Sequence, residues 1–224
     1  MNSAERIVLL IGSPKGNGGT SASIGNFILK KLQNDGITLE THHVGKAVKK
    51  EEKWDLLVEA VDAADSVILS FPLYWDSLPS HLIEALERLH AHRKEIERKN
   101  AQNLYVVVNN GFPETWHNEV AITMCHHFAK EAGFKWRGAL NIGGGAAINE
   151  KPLEETGGMT LRLRKTLEMA AAVMVKGEAI PIEVDKRLKK QLYPSWVVLL
   201  TNFGWRRQAK TKGAKHPLRA RPYE

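Results

Sequence analysis

Apolar residues fall along this chain in two alternating patterns. Unbroken runs occur at 6–11 (RIVLLI), 66–71 (SVILSF) and 104–108 (LYVVV). Runs without polar alternation are what a strand buried on both faces requires. Between them, apolar positions recur at spacings of three and four. Ile24, Phe27, Ile28 and Leu32 form one such set, and residues 54–64 carry a second. Leu82, Ile83, Leu86 and Leu89 mark a third, in a helix predicted from about Pro79 to near Lys99. Val120, Met124, Phe128 and Ala132 form a fourth, and Leu163, Leu167, Ala170 and Met174 a fifth. Each set lines one face of a helix. Ile37–Val44 reads as a further strand, followed by a polar connection over Lys46–Lys53, and another strand lies somewhere in 134–142. Asn34-Asp35-Gly36, Pro72, Asn109-Asn110-Gly111 and Gly143-Gly144-Gly145 supply the stops.

Five strands alternating with helices predict an α/β fold: a doubly wound, five-stranded parallel sheet with helices on both faces. Residues 1–180 are expected to form that domain. Residues 181–224 are expected to be a C-terminal extension, a helix near 186–203 followed by a basic tail. Composition agrees with a globular chain, at 43% hydrophobic and 25% charged residues. The net charge of +7 is concentrated at the end, where residues 206–221 hold seven basic side chains and no acidic one. The remainder balances at 25 against 25. The tail is read as a solvated extension that packs on a neighbouring subunit, with no nucleic-acid partner expected. The apolar stretch 196–205 is read as packing on the body or on a second subunit rather than on a membrane surface. No run approaches the roughly 18 residues of a membrane span, the start lacks a secretory core, and the single cysteine excludes an internal disulfide. A cytoplasmic protein is expected.

In an open parallel sheet, ligands bind outside the carboxyl ends of the strands. Three unusual loops fall there: 12–21, 71–79 and 109–117. The first, GSPKGNGGTS, follows a strand and opens a helix. Its glycines let backbone N–H groups approach an anion, Ser13, Thr20 and Ser21 add hydroxyls, and Lys15 can add charge. It lacks the Gly-Lys-Ser/Thr of a triphosphate loop, and Ser21 stands where a dinucleotide fingerprint needs glycine. A monophosphate therefore fits best. In the second loop, Tyr74 and Trp75 suit a planar ring. In the third, N–H groups and amides suit the edge of a heterocycle.

Taken together, Gly12-Ser13-Pro14-Lys15 with Asn17 and Thr20, then Pro72, Tyr74, Ser77 and Pro79, resemble the NADPH-dependent FMN reductases of the flavodoxin-like superfamily. The resemblance spans residues 5–180 and implies a flavodoxin-like fold. It implies FMN, with its phosphate held by Ser13, Lys15, Asn17, Thr20 and Ser21. Pro72, Leu73, Tyr74, Trp75 and Ser77 would line the ring, with Asn110 and Gly111 at its edge. It further implies NAD(P)H as hydride donor, a small-molecule acceptor (quinone, flavin, azo compound or metal ion) and a homodimer or higher homo-oligomer. A flavodoxin-type electron carrier that does not use NAD(P)H is the alternative, though such carriers are acidic and this body is neutral. Ser80, Ile83 and Glu87 depart from the family pattern.

No catalytic acid or base is named and no metal is expected. His42 and His43 are adjacent on a strand and point to opposite faces, and His126 and His127 lack the i, i+4 spacing of a helical zinc site. One cysteine cannot ligate a four-cysteine iron–sulfur cluster. Cys125, inside an apolar helical repeat, is read as a buried structural thiol.

Overall fold

The computed structural model describes residues 5–34, 36–96, 101–148, 151–194, 196, 207 and 209–213. In chain order the elements are β1 (Glu5–Ile11), α1 (Thr20–Leu32), β2 (Ile37–His43), α2 (Val44–Ala47), α3 (Glu51–Ala63) and β3 (Ser66–Pro72). Then come α4 (Ser80–Glu95), β4 (Asn103–Asn109), α5 (Glu119–Glu131), β5 (Lys135–Ile142), α6 (Leu161–Met174) and α7 (Ile182–Leu188). The strands form one parallel sheet in the order β2-β1-β3-β4-β5. Strand order reverses between β1 and β3, so the first and second loops emerge side by side at the point where such sheets bind ligands.

Strand alternation divides the core in two. Ile7, Leu9 and Ile11 face α1 and α6, burying Ile24, Phe27, Ile28, Leu32, Leu163 and Leu167. Val8 and Leu10 face the opposite layer, with Trp54, Leu57, Leu82 and Leu89 from α3 and α4. Each of these large side chains contributes roughly 1.5–3 kcal/mol by leaving water.

Three local expectations shift. The polar stretch 46–53 is mostly helical, because α2 begins at Val44 and α3 at Glu51, where two glutamates complement the helix N-terminus. The fourth helix ends at Glu95 rather than near Lys99. On α5 the apolar repeat is displaced by one residue. Ala121, Cys125 and Ala129 are buried, whereas Val120 is 57% exposed and Met124 37%. Small residues let this helix approach the sheet closely, which leaves Val120 and Met124 outside while Ile122 and Phe128 pack partly buried against the core.

One compact unit extends to Leu192 and includes α7, which packs on α6 and β5. A second unit runs from Tyr193. Most of the predicted basic tail, and of the predicted helix beyond Tyr193, lies outside the described residues. Among the described residues no helix is long and apolar enough to cross a membrane.

Candidate cofactor site

The first loop leaves β1 with the Gly12 N–H bonded to Ser70 O on β3 at 2.8 Å, then turns back on itself through Gly16 N–H to Ser13 O at 3.1 Å and Gly19 N–H to Gly16 O at 3.3 Å. Thr20 opens α1 directly after the loop. A β-carbon on Gly19 would stand 2.7 Å from Ser13 Oγ and 3.4 Å from Lys15 Cβ. The loop's own Gly16, Gly18 and Gly19 N–H groups are spent on its turns, but no side chain caps the N-terminus of α1 and Ser13 Oγ stands beside Gly19, a donor set that fits a phosphate.

The loops after β1, β3, β4 and β5 are bonded to one another. Leu73 N–H donates to Asn109 O at 2.8 Å. The Ser21 hydroxyl donates to Asn109 Oδ1 at 2.7 Å, and Ser70 Oγ donates to Ser21 O at 2.8 Å. Ser21 is 1% exposed, so its hydroxyl braces the first loop against the third. Asn110 is similarly engaged. Its Nδ2 donates to Glu114 O at 3.0 Å and Asn118 Oδ1 at 3.2 Å, and its Oδ1 accepts from Phe112 N–H at 2.7 Å. Gly111 is exposed at the rim of that loop.

The second loop is a two-residue hairpin turn. Tyr74 and Ser77 exchange both backbone hydrogen bonds at 2.9 Å, and Trp75 and Asp76 between them have φ of +49° and +57°. Turns with two positive φ angles favour Asn-Gly, and a tryptophan there is strained. Trp75 is nonetheless 100% exposed and Tyr74 42%. Pro72, Leu73 and Ser77 are half-buried behind them. Replacing Trp75-Asp76 by Asn-Gly is expected to stabilise the fold by roughly 1–2 kcal/mol, read as a higher urea midpoint at unchanged m-value. A lower midpoint would show that the indole supports the folded monomer.

Sequence reasoning missed several groups. Gly144 N–H donates to Phe112 O at 2.5 Å and Gly145 N–H to Asn110 O at 2.7 Å, so the loop after β5 supports the third loop. Asn118 and Asn141 are buried and joined by a 2.8 Å bond. His117 stacks on Trp116 at 3.6 Å between ring centroids and lies 4.8 Å from Phe112. Phe112 and Trp116 are exposed, and Ser77 Oγ donates to Met124 Sδ at 3.6 Å, so an apolar rim runs from the second loop onto α5. A run of polar and aromatic letters with no periodicity gave no sign of it. A separate cleft of about 640 Å³ lies between α3 and α4, lined by Trp54, Asp62 and His92 near the opposite end of the sheet.

Cys125 is fully buried, and burial alone pushes its thiol from near 9 up to about 12. The folded chain therefore keeps a thiol at pH values where the unfolded chain forms thiolate. Stability is lost as pH rises above 9, and a disulfide dye at pH 8 should react only after denaturant is added. Prompt reaction in the native state would contradict the burial. Among the described residues no group of three or more His, Cys, Asp or Glu is placed to hold a metal.

The sequence pattern of the family described as NADPH-dependent FMN reductase matches residues 6–127. An iron-sulfur flavoprotein from Archaeoglobus fulgidus is 26% identical over 220 residues, covering 89% of this chain and 92% of that protein. Among solved structures, an FMN-dependent NADH-azoreductase from Bacillus anthracis, in complex with FMN, superposes with TM-score 0.54 at 14% identity, covering 76% of this chain and 99% of that one. An NAD(P)H:quinone oxidoreductase from Methanothermobacter marburgensis does so with TM-score 0.51 at 17% identity, covering 77% and 95%. These structures share the fold.

Proposed function

Because the chain belongs to the NADPH-dependent FMN reductase family and is an NAD(P)H-dependent, FMN-using oxidoreductase, we propose that the three loops described above hold that FMN and pass its electrons to a small organic or inorganic acceptor. Ser13, Lys15, Asn17 and Thr20 take the phosphate, with Ser21 behind them. Pro72, Leu73, Tyr74, Trp75 and Ser77 line the ring, and Asn110 and Gly111 shape its edge. The bound group supplies the redox chemistry, accepting hydride from NAD(P)H and giving electrons to a quinone, flavin, azo compound or metal ion. The side chains orient rings and carry no proton in this scheme, which needs no acid or base among them.

The observation that carries this reading is the convergence at the switch point. The glycine-rich turn that opens α1 stands beside an aromatic turn, and both are bonded to Asn109, through the Ser21 hydroxyl and the Leu73 N–H. The test is steady-state kinetics with NADPH against a panel of a quinone, an azo dye, free FMN and ferric citrate. Parallel lines in double-reciprocal plots for at least one acceptor are expected, since donor and acceptor use the same face in turn. Intersecting lines with every acceptor would contradict the shared face. Ser13→Ala is expected to weaken FMN binding roughly tenfold by losing one hydrogen bond to a charged group, measured by quenching of flavin fluorescence. Unchanged affinity would remove Ser13 from the site.

The exposed Trp75, Phe112, Trp116 and Val120 further support a homodimer, because contiguous apolar rims mark association surfaces. Sedimentation at micromolar concentration should give a dimer, and Val120→Glu a monomer. A monomeric wild type would refute the assembly.

A further inference from the structure

Beside the first loop, a cleft of about 400 Å³ runs along α1. Ser23, Asn26, Phe27, Lys30 and Gln33 line it, at i, i+3, i+4, i+7 and i+10, which share one helix face. From Ser23 to Gln33 the chain rises roughly 15 Å, so the cleft is elongated. Asn17 of the first loop lines it too, and the cleft is therefore continuous with the turn assigned to the phosphate. Two bonds draw the segment after β5 over α1. Ser23 Oγ donates to Lys151 O at 2.6 Å, and Lys30 Nζ donates to Glu154 Oε1 at 2.7 Å. Pro152 and Glu154 of that segment line the cleft, as does Leu39 of β2.

The lining says what fits there. Lys30 and Glu154, its charged members, pair with each other, so the cleft offers a second anion no uncommitted cation. Leu29, Leu39 and Pro152 supply apolar surface. Asn26 and Gln33 supply amides, and among the described residues neither side chain makes a hydrogen bond. Each amide carries a donor and an acceptor side by side, the pattern that matches N6 and N7 of adenine. An uncharged, partly apolar cleft with open amides, leading away from a turn that suits a phosphate, has the chemistry of a purine nucleoside site.

We infer that this cleft is a nucleoside subsite that takes adenosine, with the adjoining phosphate directed toward the first loop. The inference rests on the FMN reading of that loop proposed above. The loop itself suits a single phosphate, so the nucleoside lies outside it, along α1. Two dinucleotides carry the group: the donor NAD(P)H, and FAD, the adenylated form of FMN. Asn26 and Gln33 recognise the base of either.

The experiment compares wild type with Asn26→Leu and Gln33→Leu. Calorimetry gives Kd for FMN and for FAD, and steady-state kinetics on the FMN-loaded protein give KM and kcat for NADPH. The FMN affinity is expected to stay the same in all three. A loss of FAD affinity of about tenfold, the effect of one amide–base pair, assigns the cleft to the adenylate of the flavin. A tenfold rise in KM for NADPH at unchanged kcat assigns it to the adenylate of the donor. If neither quantity moves, or if FMN is lost equally, the inference is overturned while the FMN site stands. A wild type that binds no FMN would overturn both. Because a variant can misfold, adenosine is also titrated into the FMN-loaded wild type and followed by NMR. The side-chain amide signals of Asn26 and Gln33 are expected to shift, and unmoved signals count against the proposal.

Discussion

Gly143→Ala is expected to cost roughly 2–3 kcal/mol of stability and to weaken FMN binding with it. Gly143 follows β5, and a β-carbon on it would collide with the Pro113 carbonyl oxygen and stand within 3.0 Å of Pro113 C and 3.1 Å of Glu114 C. All three atoms are backbone, so no rotamer change relieves the overlap. The collision pushes apart the two loops that Gly144 N–H to Phe112 O and Gly145 N–H to Asn110 O hold together. Those bonds set where Gly111 and the aromatic rim stand relative to Asn109. Urea unfolding and a flavin titration on the same protein read both effects. Gly158→Ala, whose β-carbon meets nothing within 4 Å, should stay within about 0.5 kcal/mol. Equal values for the two variants would show that the close approach after β5 does not hold the third loop.

Arg93→Ala is expected to lower stability by about 3 kcal/mol and leave flavin affinity unchanged. Arg93 is 5% exposed. Its Nε donates to Ala132 O at 2.5 Å, Nη1 to Gln102 Oε1 at 2.6 Å and Nη2 to Gly133 O at 3.5 Å. Its guanidinium lies 3.5 Å from the Phe134 ring centroid, adding a cation–π contact. Gln102 Nε2 in turn donates to Val61 O and Ala64 O at 2.5 Å. One side chain thus satisfies the carbonyls at the end of α5, and through Gln102 those at the end of α3, at the far side of the sheet from the loops. Removing it strands the buried acceptors on Ala132 and Gln102. Arg93→Lys should recover little, because an ammonium lacks the planar fork. Calorimetry together with a flavin titration at 10 °C separates the scaffold from the site. A loss of affinity matching the loss of stability would mean that the two ends of the sheet are not independent.

The strands were legible because burial on both faces makes the middles of β1, β3 and β4 unbroken apolar runs. The loops were legible because glycines crowd where strand meets helix. β5 was harder to place, since KWRGALNI lies at an edge with only Leu140, Asn141 and Ile142 buried along one end. Its register with β4 also slips between Leu104 and Tyr105. The phase of α5 was misread because the pattern was sought among large side chains, whereas close packing selected Ala121, Cys125 and Ala129. Within the site, residue types pointed to the right loops but not to each side chain's partner. Whether Ser21 faces a ligand or Asn109 is decided by residues 88 positions apart.

Holding FMN in the loops after β1, β3 and β4, and reducing it with a pyridine nucleotide, is the function proposed for this chain. The direct measurement is anaerobic: the protein is reconstituted with FMN, desalted, and its visible absorption followed as NADPH and then NADH are added. A retained flavin band that bleaches within seconds, and that Ser13→Ala fails to retain on desalting, is the expected result. A band that is lost on desalting from the wild type, or that neither nucleotide bleaches, would contradict the account.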